Sequence, residues 1–124
     1  MKKIPEKLTL GGILRSFKNS LRGVRILFRH EYNLYVQVFF AVMAIAFGVI
    51  FGISLLEWAL QTTVIGLVIF SELVNTALEK TMDLVQPEYD KRVRDIKDLA
   101  SGAVLFTVGI SVAVGLFIYI PKVF

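Results

Sequence analysis

The chain has 124 residues, 56% of them hydrophobic, and a mean hydropathy of +0.69. That is too apolar for an ordinary soluble domain, and the length leaves no room for a separate nucleotide-binding module beside a membrane region. No cysteine is present, which excludes disulfides and thiolate metal sites, and the net charge of +4 matters through its placement rather than its sum.

Between about residues 11 and 30, Leu14, Phe17, Leu21, Val24 and Phe28 recur at three- and four-residue steps. Arg15, Lys18, Arg22, Arg25 and Arg29 make a second stripe, roughly 100° around the helix axis from the first. Such an amphipathic helix lies in the headgroup layer, apolar side down, with its bases near lipid or nucleotide phosphates. For any one base, plain surface anchoring is the simpler role. His30 reads as an interfacial hydrogen-bonding residue rather than a ligand, and Glu31 puts a carboxylate at the cytoplasmic mouth of the first apolar span.

Three membrane spans are expected, at about 32–56, 58–78 and 99–120. Tyr32, Tyr35, Trp58 and Tyr119 stand at span ends, as an aromatic belt requires. The first apolar run begins too late and is too long for a signal peptide. Bases crowd the N-terminal segment (Lys2, Lys3, Lys7 and the second stripe) and the loop with Lys80, Lys91, Arg92, Arg94 and Lys97. The positive-inside rule therefore places both in the cytoplasm and the C-terminus outside.

The second span carries the chemistry. Glu72 interrupts it, and a charge near the centre of a membrane helix costs roughly 2.5–3.5 kcal/mol, so such a group usually marks function. Asn75, Glu79 and Asp83 follow at helical spacing, and the four positions fall within about 80° of one another on one face. Gln86-Pro87 should end that helix, because proline lacks an N–H and disfavours helical geometry before it. Glu88, Tyr89 and Asp90 then make a turn, and Lys97, Asp98 and Ser101 share the start of the third span, which Pro121 and Lys122 close.

Soluble-enzyme signatures are missing: no Gly-rich phosphate loop, dinucleotide fingerprint, HExxH or nucleophile elbow. What stands out is an acidic set, Glu31, Glu72, Glu79 and Asp98. Hard carboxylates suit Mg²⁺ together with substrate phosphates. With nearby bases and a proton acceptor they form the parts of phosphoryl transfer. Composition alone equally allows a proton relay.

The run Glu72-Leu-Val-Asn-Thr-Ala-Leu-Glu79, then Asp83, Glu88-Tyr89 and Lys97-Asp98-Leu-Ala-Ser-Gly-Ala-Val-Leu105, resembles the small bacterial integral-membrane diacylglycerol kinase and undecaprenol kinase family. Ser16-Phe17-Lys18, Arg22-Gly23, Arg25 and Glu31 fit the same family, so the resemblance covers nearly the whole chain. It implies an all-α membrane protein with an N-terminal amphipathic surface helix and three transmembrane helices, assembled as a homotrimeric helical bundle with sites shared between subunits. The implied activity is ATP- and Mg²⁺-dependent phosphorylation of a membrane lipid alcohol at the cytoplasmic face of the bacterial inner membrane, with no nucleic-acid partner. By resemblance Glu72 is the catalytic base and Asn75 its support. Glu31 and Glu79 hold Mg²⁺ under the ATP phosphates. Asn19, Glu88, Tyr89, Asp90, Lys97 and Asp98 line the nucleotide site, and Arg25 and Ser101 lie near the lipid. Two departures stand out. Asn33-Leu-Tyr35-Val-Gln37 lacks the arginine or histidine many relatives carry there, and Asn19 replaces an aromatic residue of some relatives. Asp98-Leu-Ala-Ser101-Gly looks more like the undecaprenol branch than the diacylglycerol branch.

Two rivals remain open: a small proton or ion conductor using Glu72, Asn75 and Glu79, and a structural adaptor packing through Ser101, Gly102 and Gly109. A conductor needs polar residues through both halves of the membrane. Here they gather toward the cytoplasmic half, and the outer half reads as apolar.

Overall fold

The structure, a computed structural model, describes residues 8–124. The described residues form four helices and no strand: α1 (Leu10–His30), α2 (Tyr32–Phe51), α3 (Leu55–Val85) and α4 (Lys91–Val123). Lys2, Lys3 and Lys7, which count toward the expected orientation, lie outside the described residues, as does the side chain of His30.

α1 starts at Thr9, whose Oγ1 accepts the Gly12 N–H at 3.0 Å. It stops where Glu31 takes an extended backbone, φ −106° and ψ 105°, and the chain turns into α2. Tyr35 donates its hydroxyl to the Phe28 carbonyl at 2.6 Å across this corner, and the two rings meet edge-on at 6.4 Å. Leu27 and Leu34, one on each side of it, are the only fully buried large side chains among the described residues.

α2 ends at Phe51, short of the expected Leu56, for a reason hydropathy does not register. Gly52 adopts the left-handed conformation, φ 60° and ψ 51°, which is open to glycine and costs other residues roughly 1–2 kcal/mol. Ser54 then opens α3 in a reciprocal capping box. Its Oγ accepts the Glu57 N–H at 3.2 Å, and Glu57 Oε1 accepts the Ser54 N–H at 2.9 Å. Beside this hairpin Gly48 is buried against the Trp58 indole, where an added Cβ would lie 2.6 Å from the ring.

α3 and α4 pack antiparallel and make the most extensive helix pair. Three polar ties fix their register: Lys122 Nζ to Glu57 Oε2 at 3.0 Å, Ser71 Oγ with Thr107 Oγ1 at 2.9 Å, and Lys97 Nζ to Asp83 Oδ1 at 2.5 Å. With 31 and 33 residues they are each about 45–50 Å long at 1.5 Å per residue, well beyond a hydrocarbon core of about 30 Å. Their charged ends, joined by the loop at 86–90, therefore extend past the apolar zone. Asp90 caps α4, and the Arg92 guanidinium and backbone N–H hold its carboxyl down to about 2, so the cap stays ionised near neutral pH. Pro121 does not end α4. It sits inside the final turn, and the helix runs on to Val123.

The packing is inside-out relative to a soluble bundle. Gln61, Glu72, Asn75 and Thr76 are buried, while Phe39, Phe40, Ile50, Phe70, Leu105, Phe106 and Phe117 face outward. α2, α3 and α4 are each long and apolar enough to cross a membrane, which is the solvent such a surface requires.

Gly48→Ala should destabilise the detergent-solubilised protein by about 1–3 kcal/mol through overpacking against Trp58. Gly66→Ala, where an added Cβ meets nothing within 4 Å, should leave thermal unfolding nearly unchanged. Equal melting temperatures for the two variants would contradict the close approach of α2 and α3.

Candidate active site

The acidic stripe of α3 starts inside the protein and emerges toward Val85. Glu72 is 2% exposed, and its Oε1 accepts a hydrogen bond from Gln37 Nε2 of α2 at 2.8 Å. One turn on, Asn75 Nδ2 donates to Glu79 Oε1 at 3.3 Å, the i,i+4 contact its spacing requires. Glu31, at the corner between α1 and α2, and Glu79 are both within electrostatic reach of Glu72. At the open end Lys97 of α4 closes onto Asp83. The helical spacing expected from sequence thus does gather Glu72, Asn75 and Glu79, while Glu31 stands on another element, within electrostatic reach only.

Four buried polar atoms here have no partner: Glu72 Oε2, Gln37 Oε1, Asn75 Oδ1 and Thr76 Oγ1. An unpaired buried polar atom costs about 1–3 kcal/mol, so these four carry hydrogen-bonding capacity that the chain itself does not use. No ion pair among the described residues reaches Glu72 or Glu79, so a group bound against them would find acceptors suited to positive charge or hydrogen-bond donors. No group of three metal-ligating side chains stands close enough to hold an ion among the described residues. The donor set still fits a hard cation that takes its remaining ligands from phosphates and water.

Other residues expected at the site stand apart from it in the single chain. Asn19, Arg25, Glu88, Tyr89 and Ser101 are exposed. Asp98 is exposed as well and faces Arg94 at 3.8 Å rather than the stripe. Asp90 is engaged as the α4 cap.

Two contributors escape the sequence reading. Gln37 stands out there only as a departure from the family pattern, although a carboxamide in an otherwise uncharged span is itself a signal. Thr76 lies inside the motif, where a lone threonine carries no signal of its own. The outer half, expected to be apolar, is not uniformly so. Gln61 of α3 is 4% exposed, its Nε2 donates to the Ala44 carbonyl at 3.2 Å, and its Oε1 accepts the Tyr119 hydroxyl at 2.6 Å. That hydroxyl also lies 3.1 Å from Ala44 O, so Tyr119 turns inward instead of serving an interfacial belt.

The family model for prokaryotic diacylglycerol kinase matches residues 18–119, a range that contains the whole buried cluster. The chain is 33% identical over 113 residues to an undecaprenol kinase of Bacillus subtilis, covering 91% of this chain and 92% of that protein. It is 32% identical over 110 residues to a diacylglycerol kinase of Synechocystis, covering 88% of this chain and 63% of that protein. With the buried carboxylate cluster and three apolar helices, these matches establish that the chain belongs to the prokaryotic diacylglycerol kinase family and is a lipid kinase.

Proposed function

We propose that the chain transfers the γ-phosphoryl group of ATP to the hydroxyl of a membrane lipid alcohol, undecaprenol in the first instance, at the cytoplasmic face of the inner membrane. The observation that carries this reading is Glu72: a carboxylate buried at membrane depth, held by Gln37 through one oxygen and left unpaired at the other. A hydroxyl reaching that free oxygen gives its proton to Glu72 as the lipid oxygen bonds to the γ-phosphorus. The bond from phosphorus to the β,γ-bridging oxygen breaks, and ADP departs to the cytosol. Glu31 and Glu79 would hold Mg²⁺, which when bound supplies charge neutralisation to the phosphates. Lys97, presented by Asp83 at the same end, adds positive charge from the protein itself. The other basic residues of α1 and of the loop after α3 set the orientation, with α1 lying in the headgroup layer.

Undecaprenol is preferred over diacylglycerol because the Bacillus undecaprenol kinase matches through nearly its whole length, and the Ser101-Gly pattern agrees. A conductor is disfavoured because the stretch between Gln37 and Gln61 is lined by Val64, Ile65, Val68 and Ile69. We further infer a homotrimer with shared sites. Asn19, Arg25 and Asp98 stand away from the cluster of their own chain, and Gly102 and Gly109 of α4 leave open room for a neighbouring helix.

Glu72→Gln keeps the size and the Gln37 contact but removes the proton acceptor. Phosphoryl transfer measured with ATP and undecaprenol in detergent should fall about 10²–10⁴-fold, with the protein still folded; near-normal turnover would disprove the assignment. Glu31→Ala and Glu79→Ala should each raise the Mg²⁺ and ATP concentrations needed for half-maximal rate, and added Mg²⁺ should partly restore them. A change confined to lipid KM would move both residues out of the nucleotide site. Mixing Glu72→Gln chains with Arg25→Ala chains should restore activity if neighbouring chains compose one site, whereas a fully active monomer would overturn the assembly.

A further inference from the structure

A cavity of about 330 Å³ lies between α2, α3 and α4, at the lower end of the roughly 300–1,000 Å³ typical of small-molecule sites. Its walls are apolar: Val64, Ile65, Val68 and Ile69 from α3, Val108 and Val112 from α4. Apolar walls with no atoms packed against them forgo their dispersion contacts. In a bilayer the material at hand to fill it is an apolar chain.

The polarity of its two ends identifies which chain. At one end is Gln37, which lines the cavity and donates to Glu72 while its own Oε1 stays unpaired. At the other end Gln61 and Tyr119 also line it, but they bond to each other and to Ala44 O, so this floor makes no polar demand. Phe40 and Val112 both line the cavity and are more than half exposed, which marks a mouth between α2 and α4. The whole accepts an amphiphile entering sideways, with its hydroxyl at the Gln37–Glu72 end and its tail pointing toward Gln61.

We infer that this cavity seats the first part of the substrate's hydrocarbon tail, and that the Gln61–Tyr119 pair is the floor at which a longer tail must turn out between α2 and α4. The inference rests on the proposed transfer to a lipid alcohol and adds where the tail of that alcohol goes. Gly115 lines the cavity near the floor, and a Cβ there meets nothing within 4 Å, so a larger side chain fits without backbone strain. Ala41, one turn from Gln37, lines the other end.

The test compares geraniol, farnesol and undecaprenol as acceptors in detergent. Gly115→Leu should raise KM for undecaprenol about tenfold and leave KM for geraniol and for ATP within twofold, because the short tail stops before the floor. Ala41→Leu should raise KM for all three alcohols. The same change at every tail length for Gly115→Leu, or none at all, overturns the inference. A second readout does not depend on catalysis: a farnesol analogue with a terminal diazirine should photolabel Val64, Ile65 or Ile118, which line the cavity toward the floor. Labelling only outward residues such as Val49, Ile50 and Phe106 overturns the tail site even in an active enzyme. An unmodified chain that labels at Ile118 but phosphorylates none of the alcohols keeps the tail site and removes the transfer. A shift in oligomer size for Gly115→Leu, by native mass spectrometry, overturns the inference in favour of a second copy's helix as the occupant.

Discussion

Two polar clamps at different membrane depths hold α2 to the α3–α4 pair, and they determine the arrangement of everything between them. One is the Gln37 amide on the Glu72 carboxylate at 2.8 Å; the other joins Gln61, Tyr119 and the Ala44 carbonyl. In hydrocarbon, polar groups have no water to fall back on, so such contacts are made within the protein or not at all. Between the clamps α2 stands off from its neighbours and the cavity opens. Beyond the first clamp the acidic stripe continues outward to exposed Asp83, where Lys97 reaches it.

The contrast between the clamps explains the division of labour. Gln61 and Tyr119 satisfy one another, so their end is structural. Half-buried Gln37 and buried Glu72, Asn75 and Thr76 keep unpaired atoms, so their end holds unspent hydrogen-bonding capacity. Polar residues in membrane helices invite functional readings, and the state of their partners separates the two kinds.

The α3 stripe was legible in the sequence because its order is local: spacings of three, seven and eleven residues on one helix need no knowledge of any other element. The break after Val85 was legible from Pro87 for the same reason. The hairpin at Gly52 was not. A left-handed glycine leaves no mark in a hydropathy profile, and the uncharged run continues past it to Leu56. Gln37 and Tyr119 also escaped, because their partners lie 35 and 58 residues away and no periodicity links them. Asp98 shows the same limit from the other side. Its depth along α4 was readable, but the rotation of α4 against α3 turns Lys97 inward and leaves Asp98 with Arg94.

The three ties along α3 and α4 also govern how the chain can change in length. Fourteen residues separate Glu57 from Ser71 on α3, and fifteen separate Thr107 from Lys122 on α4. A single residue inserted in either stretch turns everything beyond it by about 100°. Such an insertion in α3 would move the acidic stripe away from Gln37 as well as breaking a tie. Variation in length is therefore tolerated in the loop at 86–90 or beyond the outermost tie, while the helices between can lengthen only by whole turns and only together.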